Sequence, residues 1–98
     1  MSTLVFCVFD LKHATREDYL YAYMDLAELG LRQTIKSESG PSFKLPASAV
    51  MGTFDGPSVE DVRSNVSKKV QSIFKSRGLN GTFFLVASHV WACAGEST

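Results

Sequence analysis

The chain alternates short apolar runs with two segments of helical periodicity, and this alternation constrains its fold more than any other feature. Leu4 to Phe9 reads LVFCVF and ends at Asp10. A run this short favours a strand over a helix, and apolar residues at successive positions favour a central strand with both faces covered. Ser48 to Phe54 (SAVMGTF) predicts a second inner strand, in which Gly52 is typical of a bulge. Thr82 to Ala92 predicts the last and longest strand.

Two helices are predicted between these strands, and the first runs from Thr15 to Leu29. Thr15 and Asp18 have the spacing of a capping box, in which each side chain bonds the other residue's backbone amide. Gly30 can end the helix because glycine adopts positive φ at no steric cost. The apolar residues of this segment recur three or four positions apart and form one stripe: Leu20, Tyr23, Met24, Ala27 and Leu31.

The second helix is predicted from Ser58 to Arg77. Ser58 and Asp61 repeat the capping pattern, and Gly78 can cap the carbonyl end. Its apolar stripe consists of Val59, Val62, Val66, Val70 and Ile73.

The remaining segments complete a βαββαβ order. Leu31 to Ser37 carries Arg32 and Lys36, which suits an edge strand, and Glu38 to Ala47 is predicted to be a long loop because it contains two prolines. This order predicts an α+β protein of one domain, residues 1–98, with a short flexible tail at 95–98. The expected architecture is a ferredoxin-like plait, an antiparallel sheet with strand order 4-1-3-2 and both helices on one face.

Composition excludes several classes of protein. Apolar residues make up 45% of the chain and charged residues 20%, unlike a disordered or collagen-like protein. Ten Lys and Arg balance ten Asp and Glu, which argues against a domain held on nucleic acid by a broad cationic face. No apolar run is long enough for a membrane span. Cys7 and Cys93 are too few for a disulfide scaffold and are expected to stay unpaired, which together with the lack of a targeting segment predicts a cytoplasmic protein.

Two residues that follow the first apolar run could carry chemistry. Asp10 is expected at the rim of the sheet, where a carboxylate could bind a divalent cation such as Mg²⁺ or Mn²⁺ or act as a base. His13 follows three residues later and could serve as acid or base for an RNA 2′-hydroxyl. The simpler alternative is structural, since Asp commonly ends a strand and a loop His is commonly exposed.

Four cations could supply phosphate contacts near this rim: Lys12, Arg16, Arg32 and Lys36. Because the chain is neutral overall, such a patch must be small. Taken singly, each cation is more simply explained as a solvated surface residue.

The last strand predicts an interface. If Phe84 and Val86 pack under the helices, alternation places the other set of residues on the open face: Phe83, Leu85, Ala87, His89, Trp91 and Cys93. A face with Phe, Leu and Trp is unusually apolar for solvent, and a sheet-to-sheet homodimer through Phe83, Leu85, His89 and Trp91 is the simplest explanation. A platform on which RNA bases stack is the alternative, although the aromatic positions do not match the motif of sheets that bind single strands.

The layout resembles the small ferredoxin-like endoribonucleases of toxin–antitoxin and CRISPR-adaptation systems, namely VapD-type enzymes and, more closely, GhoS-type antitoxins. Four features carry the resemblance: Phe6 to Leu11 (FCVFDL) at the start, Gly40-Pro41 in a long loop, Ala47 to Thr53 as an inner strand, and Ser58 to Val62 opening the second helix. The resemblance implies a dimer with Asp10 near the subunit interface, and RNA cleavage with or without a metal ion.

Two functions are therefore expected from the sequence. The first is a small RNA-binding or RNA-cleaving domain of the toxin–antitoxin kind. The alternative is a non-enzymatic, dimeric interaction or regulatory module that uses its open sheet face. An enzyme needs Asp10 to converge with another polar group and with cations, whereas an interaction module needs only the apolar face.

Overall fold

The computed structural model describes residues 2–36 and 42–96, with Lys36 by its backbone alone. Its elements in chain order are β1 (Ser2–Leu11), α1 (Arg16–Leu29), β2 (Thr34–Lys36), β3 (Ser42–Lys44), β4 (Ala49–Asp55), α2 (Val59–Ser76) and β5 (Gly81–Ser88). The predicted positions 37–41, within the second strand and the loop, and the last two residues of the tail lie outside the described residues.

β1 is the central strand of an antiparallel sheet with the order β4-β1-β5. Phe6 marks the register, because it pairs with Met51 on one side and with Val86 on the other. The apolar run LVFCVF thus forms a doubly paired strand, as the sequence predicts.

Both helices pack on the same face of this sheet. Val5, Cys7 and Phe9 of β1 point toward them and are buried. The core joins these side chains to Ala22 and Leu26 of α1 and to four residues of α2: Val62, Val66, Val70 and Phe74. The α+β class and the arrangement of the helices are confirmed.

The predicted caps determine where the helices begin and end. The Thr15 hydroxyl accepts from the Asp18 amide, and the Asp18 carboxylate accepts from the Thr15 amide at 2.9 Å. α1 ends at Gly30 with φ 115°, and the Leu31 amide returns to the Leu26 carbonyl. At the end of α2 the Leu79 amide bonds the Phe74 carbonyl in the same way, past Gly78 at φ 66°.

The predicted second strand and the loop after it are the main corrections to the fold. Thr34–Lys36 pairs with Ser42–Lys44 in a separate two-stranded sheet, so the loop prediction is wrong for β3. Arg32 joins β4 through an isolated bridge to Met51. The three-stranded sheet reproduces two of the three neighbour pairs in the predicted 4-1-3-2 order, 4-1 and 1-3. Among the described residues, the third pair, between β4 and the predicted second strand, is reduced to the Arg32–Met51 bridge.

The buried face of α1 also differs from the predicted stripe. Leu20 and Met24 are 53% and 61% exposed, whereas Ala22 and Leu26 are buried. α1 carries apolar side chains around much of its circumference, so periodicity alone did not identify the face that meets the sheet.

Gly52 marks a close approach between elements instead of a bulge. The β1–β4 register runs without interruption through the Val5–Gly52 pair. A Cβ atom at Gly52 would lie 2.0 Å from the Gly30 carbonyl oxygen, so only glycine lets the end of α1 rest against β4.

Candidate functional site

The face of the sheet opposite the helices is built by alternate residues of three strands. Directly opposite residues of antiparallel strands share a face. The register therefore aligns nine uncharged residues in three rows: Leu4 with Thr53 and Ser88, Phe6 with Met51 and Val86, and Val8 with Ala49 and Phe84. We call this grid the helix-free face.

Half of the helix-free face is covered and half is open. On the β4 side, Ala49 and Met51 are buried. On the β5 side, Phe84 is 67% exposed, Val86 48%, and Val8 of β1 38%. Phe84 and Val8 are direct cross-strand neighbours, and Val86 lies in the next row on the same face. These three side chains are called the exposed patch.

The predicted interface residues Phe83 and Leu85 lie on the other face, so their assignment to the open face is wrong. Phe83 pairs with Phe9 and Leu85 with Cys7, and both pack against the core. The residues of the last strand alternate between the two faces as expected, but the prediction assigned them to the wrong faces. Phe83 to Ala87 are all apolar, so the sequence does not show which of them face the helices, and the register with β1 decides it.

His89 and Trp91 lie beyond the end of the strand. β5 ends at Ser88, whose hydroxyl donates to the Val90 carbonyl at 2.7 Å and bends the chain. Strand alternation therefore does not place these two residues on either face. Both are exposed, Trp91 by 47%, alongside Val90 at 83%.

The segment after β5 reaches the hairpin at the opposite edge of the sheet. A Cβ atom at Gly95 would lie 2.4 Å from two atoms of the Phe43 ring in β3, so the backbone of the tail touches that ring. Gly95, predicted as part of a flexible tail, is thus in contact with the fold.

The structure gathers Asp10, Lys12, His13 and Arg16 at the junction between β1 and α1. All four are exposed. The Lys12 amide donates to the Asn80 carbonyl, and His13 turns the chain with φ 52°, so the junction is anchored to the start of β5 and bends sharply at the histidine.

Tyr19 and Tyr23 stabilise this end of the sheet, a role that the sequence analysis missed. The Tyr19 hydroxyl accepts from the Leu11 amide at 3.0 Å and lies 3.4 Å from Asp10 Oδ1. The Tyr23 hydroxyl accepts from the amide of Ser48, a residue at φ 66°. Both rings pack on Phe9, with centroids 5.9 and 5.5 Å away. The sequence did contain a signal for this role, because two tyrosines four residues apart lie on the same side of a helix.

Arg32 does not join the cations of the junction. Its partner Met51 pairs with Phe6, four residues before Asp10 and one strand further across. Lys36 follows in β2, where only its backbone is described. The predicted group of four phosphate-binding cations is therefore divided between two regions of the molecule.

Asp10 is not part of a cluster of metal ligands within the described chain. Across residues 2–36 and 42–96, no three His, Cys, Asp or Glu side chains lie close enough together to share a metal ion. An Mg²⁺ or Mn²⁺ ion at Asp10 would therefore take most of its ligands from water, from RNA phosphate or from a second subunit.

Comparison with protein-family models, curated proteins and solved structures finds no match for this chain. The likeness to toxin–antitoxin endoribonucleases thus depends on sequence layout. Among the described helices, none combines the length and apolar character that crossing a bilayer requires.

Proposed function

We propose that this protein is an interaction module that self-associates through the helix-free face of its sheet. The exposed patch carries the proposal. Phe84 is the largest of its side chains and holds two thirds of its surface in solvent, directly beside Val8 and one row from Val86. Burial of apolar surface is worth roughly 25 cal/mol per Å², which favours a partner over water.

A second copy of the chain is the occupant that the charges support. The nine residues of the grid are uncharged, whereas Asp10 opposite Thr82 and Asp55 opposite Ser2 lie in the next rows of the same face. Two copies can therefore meet at the centre of the grid without opposing like charges when these two carboxylates stay at the rim of the contact. A two-fold axis through the patch would place Phe84 of each copy against apolar residues of the other, as an isologous interface requires. Trp91 lies three residues after the end of β5 and is exposed, and we expect it to contact the second copy at the margin of the interface.

The edge of the sheet beside the patch supports the same proposal. Within the described chain β5 pairs with β1 alone, and its sequence GTFFLVAS has no charge and no proline. Edge strands that stay unpaired in natural proteins usually carry charged residues or proline, which prevent pairing with another chain. The lack of both in β5 supports an edge that meets a partner.

Sedimentation velocity over a range of protein concentrations tests the proposal. The wild type should sediment as a dimer at high concentration, and Phe84→Asp should be monomeric because it buries an unpaired charge in an apolar contact. Met24→Asp is the matched control, since Met24 is similarly exposed at 61% but lies on α1. A wild type that stays monomeric at millimolar concentration, or equal dissociation by both variants, would overturn the proposal.

The proposal extends to the fold family. We infer a ferredoxin-like plait in which the second strand in chain order, at the edge beside β4, is reduced to the Arg32–Met51 bridge and continues as the β2–β3 hairpin. Three observations support it: the element order, which is βαββαβ apart from the additional strand β3, the antiparallel β4-β1-β5 sheet, and the shared helix face.

A small RNA-binding or RNA-cleaving domain of the toxin–antitoxin kind is the second candidate. The observation that favours it is the collection of Asp10, Lys12, His13 and Arg16 on one exposed junction. In that proposal His13 takes the proton of an RNA 2′-hydroxyl, and Lys12 and Arg16 contact phosphate. Tyr19 beside Asp10 helps to fix the carboxylate.

Incubation with mixed-sequence RNA separates the two functions. The wild type is compared with Asp10→Asn and His13→Ala, in EDTA and with added Mg²⁺ or Mn²⁺. Cleavage that both substitutions abolish, with unchanged circular dichroism spectra, would establish the enzyme. Absence of cleavage under every condition, or cleavage that neither substitution alters, would leave the interaction module.

A further inference from the structure

The charges of this neutral chain are unevenly distributed. Between Val62 and Gly95 the sequence contains no Asp or Glu, yet it holds five of the ten Lys and Arg residues. These five are Arg63, Lys68, Lys69, Lys75 and Arg77. The overall balance of charge therefore conceals a basic segment, and four of its five cations lie in α2.

Lys68 and Lys75 lie on one side of α2. Seven residues of an α-helix make almost two full turns, so the two lysines project in the same direction about 10.5 Å apart along the axis. Buried Val66 and Val70 occupy the opposite side. Gln71 and Ser72 lie between the lysines and line a shallow groove with them. We call this surface the α2 lysine stripe.

The lysines of the stripe are available to a ligand. The one salt bridge in the described part of the chain joins Arg77 to Asp25. No carboxylate lines the groove between Lys68 and Lys75, whereas the neighbouring groove at Lys69 also contains Asp25 and Glu28. Lys68 and Lys75 therefore form the centre of the stripe, and Lys69 lies at its margin.

We propose that the α2 lysine stripe binds the phosphate backbone of single-stranded RNA. Lysine ammonium groups contact phosphates as point charges, and the Gln71 amide and Ser72 hydroxyl can donate to phosphate oxygens. None of the residues that line the groove is aromatic, so the contact recognises the backbone without stacking on the bases. This site is separate from Asp10 and from the helix-free face.

The packing of α2 argues against a membrane as the ligand. Interfacial helices insert an apolar face into the lipid, and the apolar face of α2 is occupied by the core of this protein. The stripe itself offers only polar and cationic side chains.

Fluorescence anisotropy with a labelled 20-nucleotide RNA of mixed sequence tests the proposal. Each phosphate contact on a single strand contributes about 0.7 to the slope of log K against log salt concentration. With three lysines the wild type should show a slope of about −2, and Lys68→Gln with Lys75→Gln should reduce its magnitude to about 0.7.

Arg63→Gln is the matched control, because it removes the same charge from the same helix about 140° away from Lys68. It should leave the slope unchanged. An equal effect of the control, an unaltered slope in the double variant, or no binding at about 20 mM salt would overturn the proposal. So would a strong preference for one base sequence, or binding to phosphatidylserine vesicles in place of RNA.

RNA binding by the α2 lysine stripe and self-association through the exposed patch can be tested separately. The double lysine variant should still form the dimer, and Phe84→Asp should still bind RNA through each chain. RNA binding without cleavage would likewise leave the α2 lysine stripe intact and remove only the enzymatic function of the junction.

Discussion

A single ionic contact joins the two helices where α2 ends. The Arg77 guanidinium bonds both oxygens of the Asp25 carboxylate, with Nη2 to Oδ1 at 3.0 Å, and stacks over the Tyr21 ring at 4.6 Å. The hydrogen bond from Arg77 is the main cause that lowers the pKa of Asp25; burial opposes it, and the guanidinium charge lowers the pKa further. The Arg77 side chain is 38% exposed and the Asp25 side chain 23%, so solvent screens the contact and its contribution to stability is modest.

The lowered pKa of Asp25 predicts a pH dependence of the free energy of unfolding. A carboxyl whose pKa is lower in the folded state stabilises the fold above its unfolded pKa and ceases to do so as the pH falls through the folded value. Asp25→Asn should therefore be less stable than the wild type at neutral pH, and the difference should diminish below about pH 4. Urea denaturation at a series of pH values measures it. A difference that stays constant down to pH 2 would contradict this assignment.

For single residues, the sequence predicts contacts between near neighbours in the chain but not contacts between distant segments. Thr15, Asp18 and Gly30 act locally, and the structure confirms the predicted cap at each end of α1. The faces of Phe83 and Leu85 depend on which β1 residue lies opposite, which is a tertiary property. The tyrosine hydroxyl contacts to Leu11 and Ser48 depend in the same way on how the end of α1 meets the sheet.

At the scale of the elements, the join between α1 and β4 depends on Gly52. The substitution Gly52→Ala would bring a methyl group against the rigid Gly30 carbonyl, so the helix end must move away from the strand. The expected loss in the free energy of unfolding is about 3 kcal/mol or more. The neighbouring Thr53→Ala, at an exposed position on the other face, should cost much less. Equal costs by chemical denaturation would contradict the close approach.

The elements themselves were largely predictable, and the exception has a physical reason. β1, β4, β5 and both helices have apolar patterns long enough to identify them. The β2–β3 hairpin has three residues in each strand and no core residue, so its sequence differs little from that of a loop. The α2 lysine stripe was concealed for another reason, since the overall balance of charge does not show where the charges lie.

At the scale of the whole molecule, the central claim is that two copies meet at the exposed patch. The exposed large apolar residues fall mainly into two groups: Leu20, Tyr21 and Met24 on α1, and Val8, Phe84 and Val86 on the sheet. The sheet group adjoins β5, which pairs with β1 alone in the described part of the chain, whereas the α1 group includes Tyr21, which already packs against Arg77. The two groups therefore provide a candidate interface and an internal control.

The cysteines of the chain allow a direct measurement. Burial raises the pKa of Cys7 to about 11, which keeps this thiol protonated and unreactive at neutral pH. Cys93 is exposed, and Cys93→Ser would remove the accessible native thiol among the described residues. A cysteine introduced at a chosen surface position would then be the site of reaction.

Crosslinking with a short bismaleimide tests the central claim most directly. In the Cys93→Ser background, Val86→Cys places a thiol within the exposed patch and leaves Phe84 in place, and Met24→Cys places one on α1. A covalent dimer is expected from Val86→Cys, with a yield that rises with protein concentration, and monomer is expected from Met24→Cys. Equal crosslinking of the two variants, or monomer from both at concentrations where the wild type is a dimer, would contradict the proposed interface.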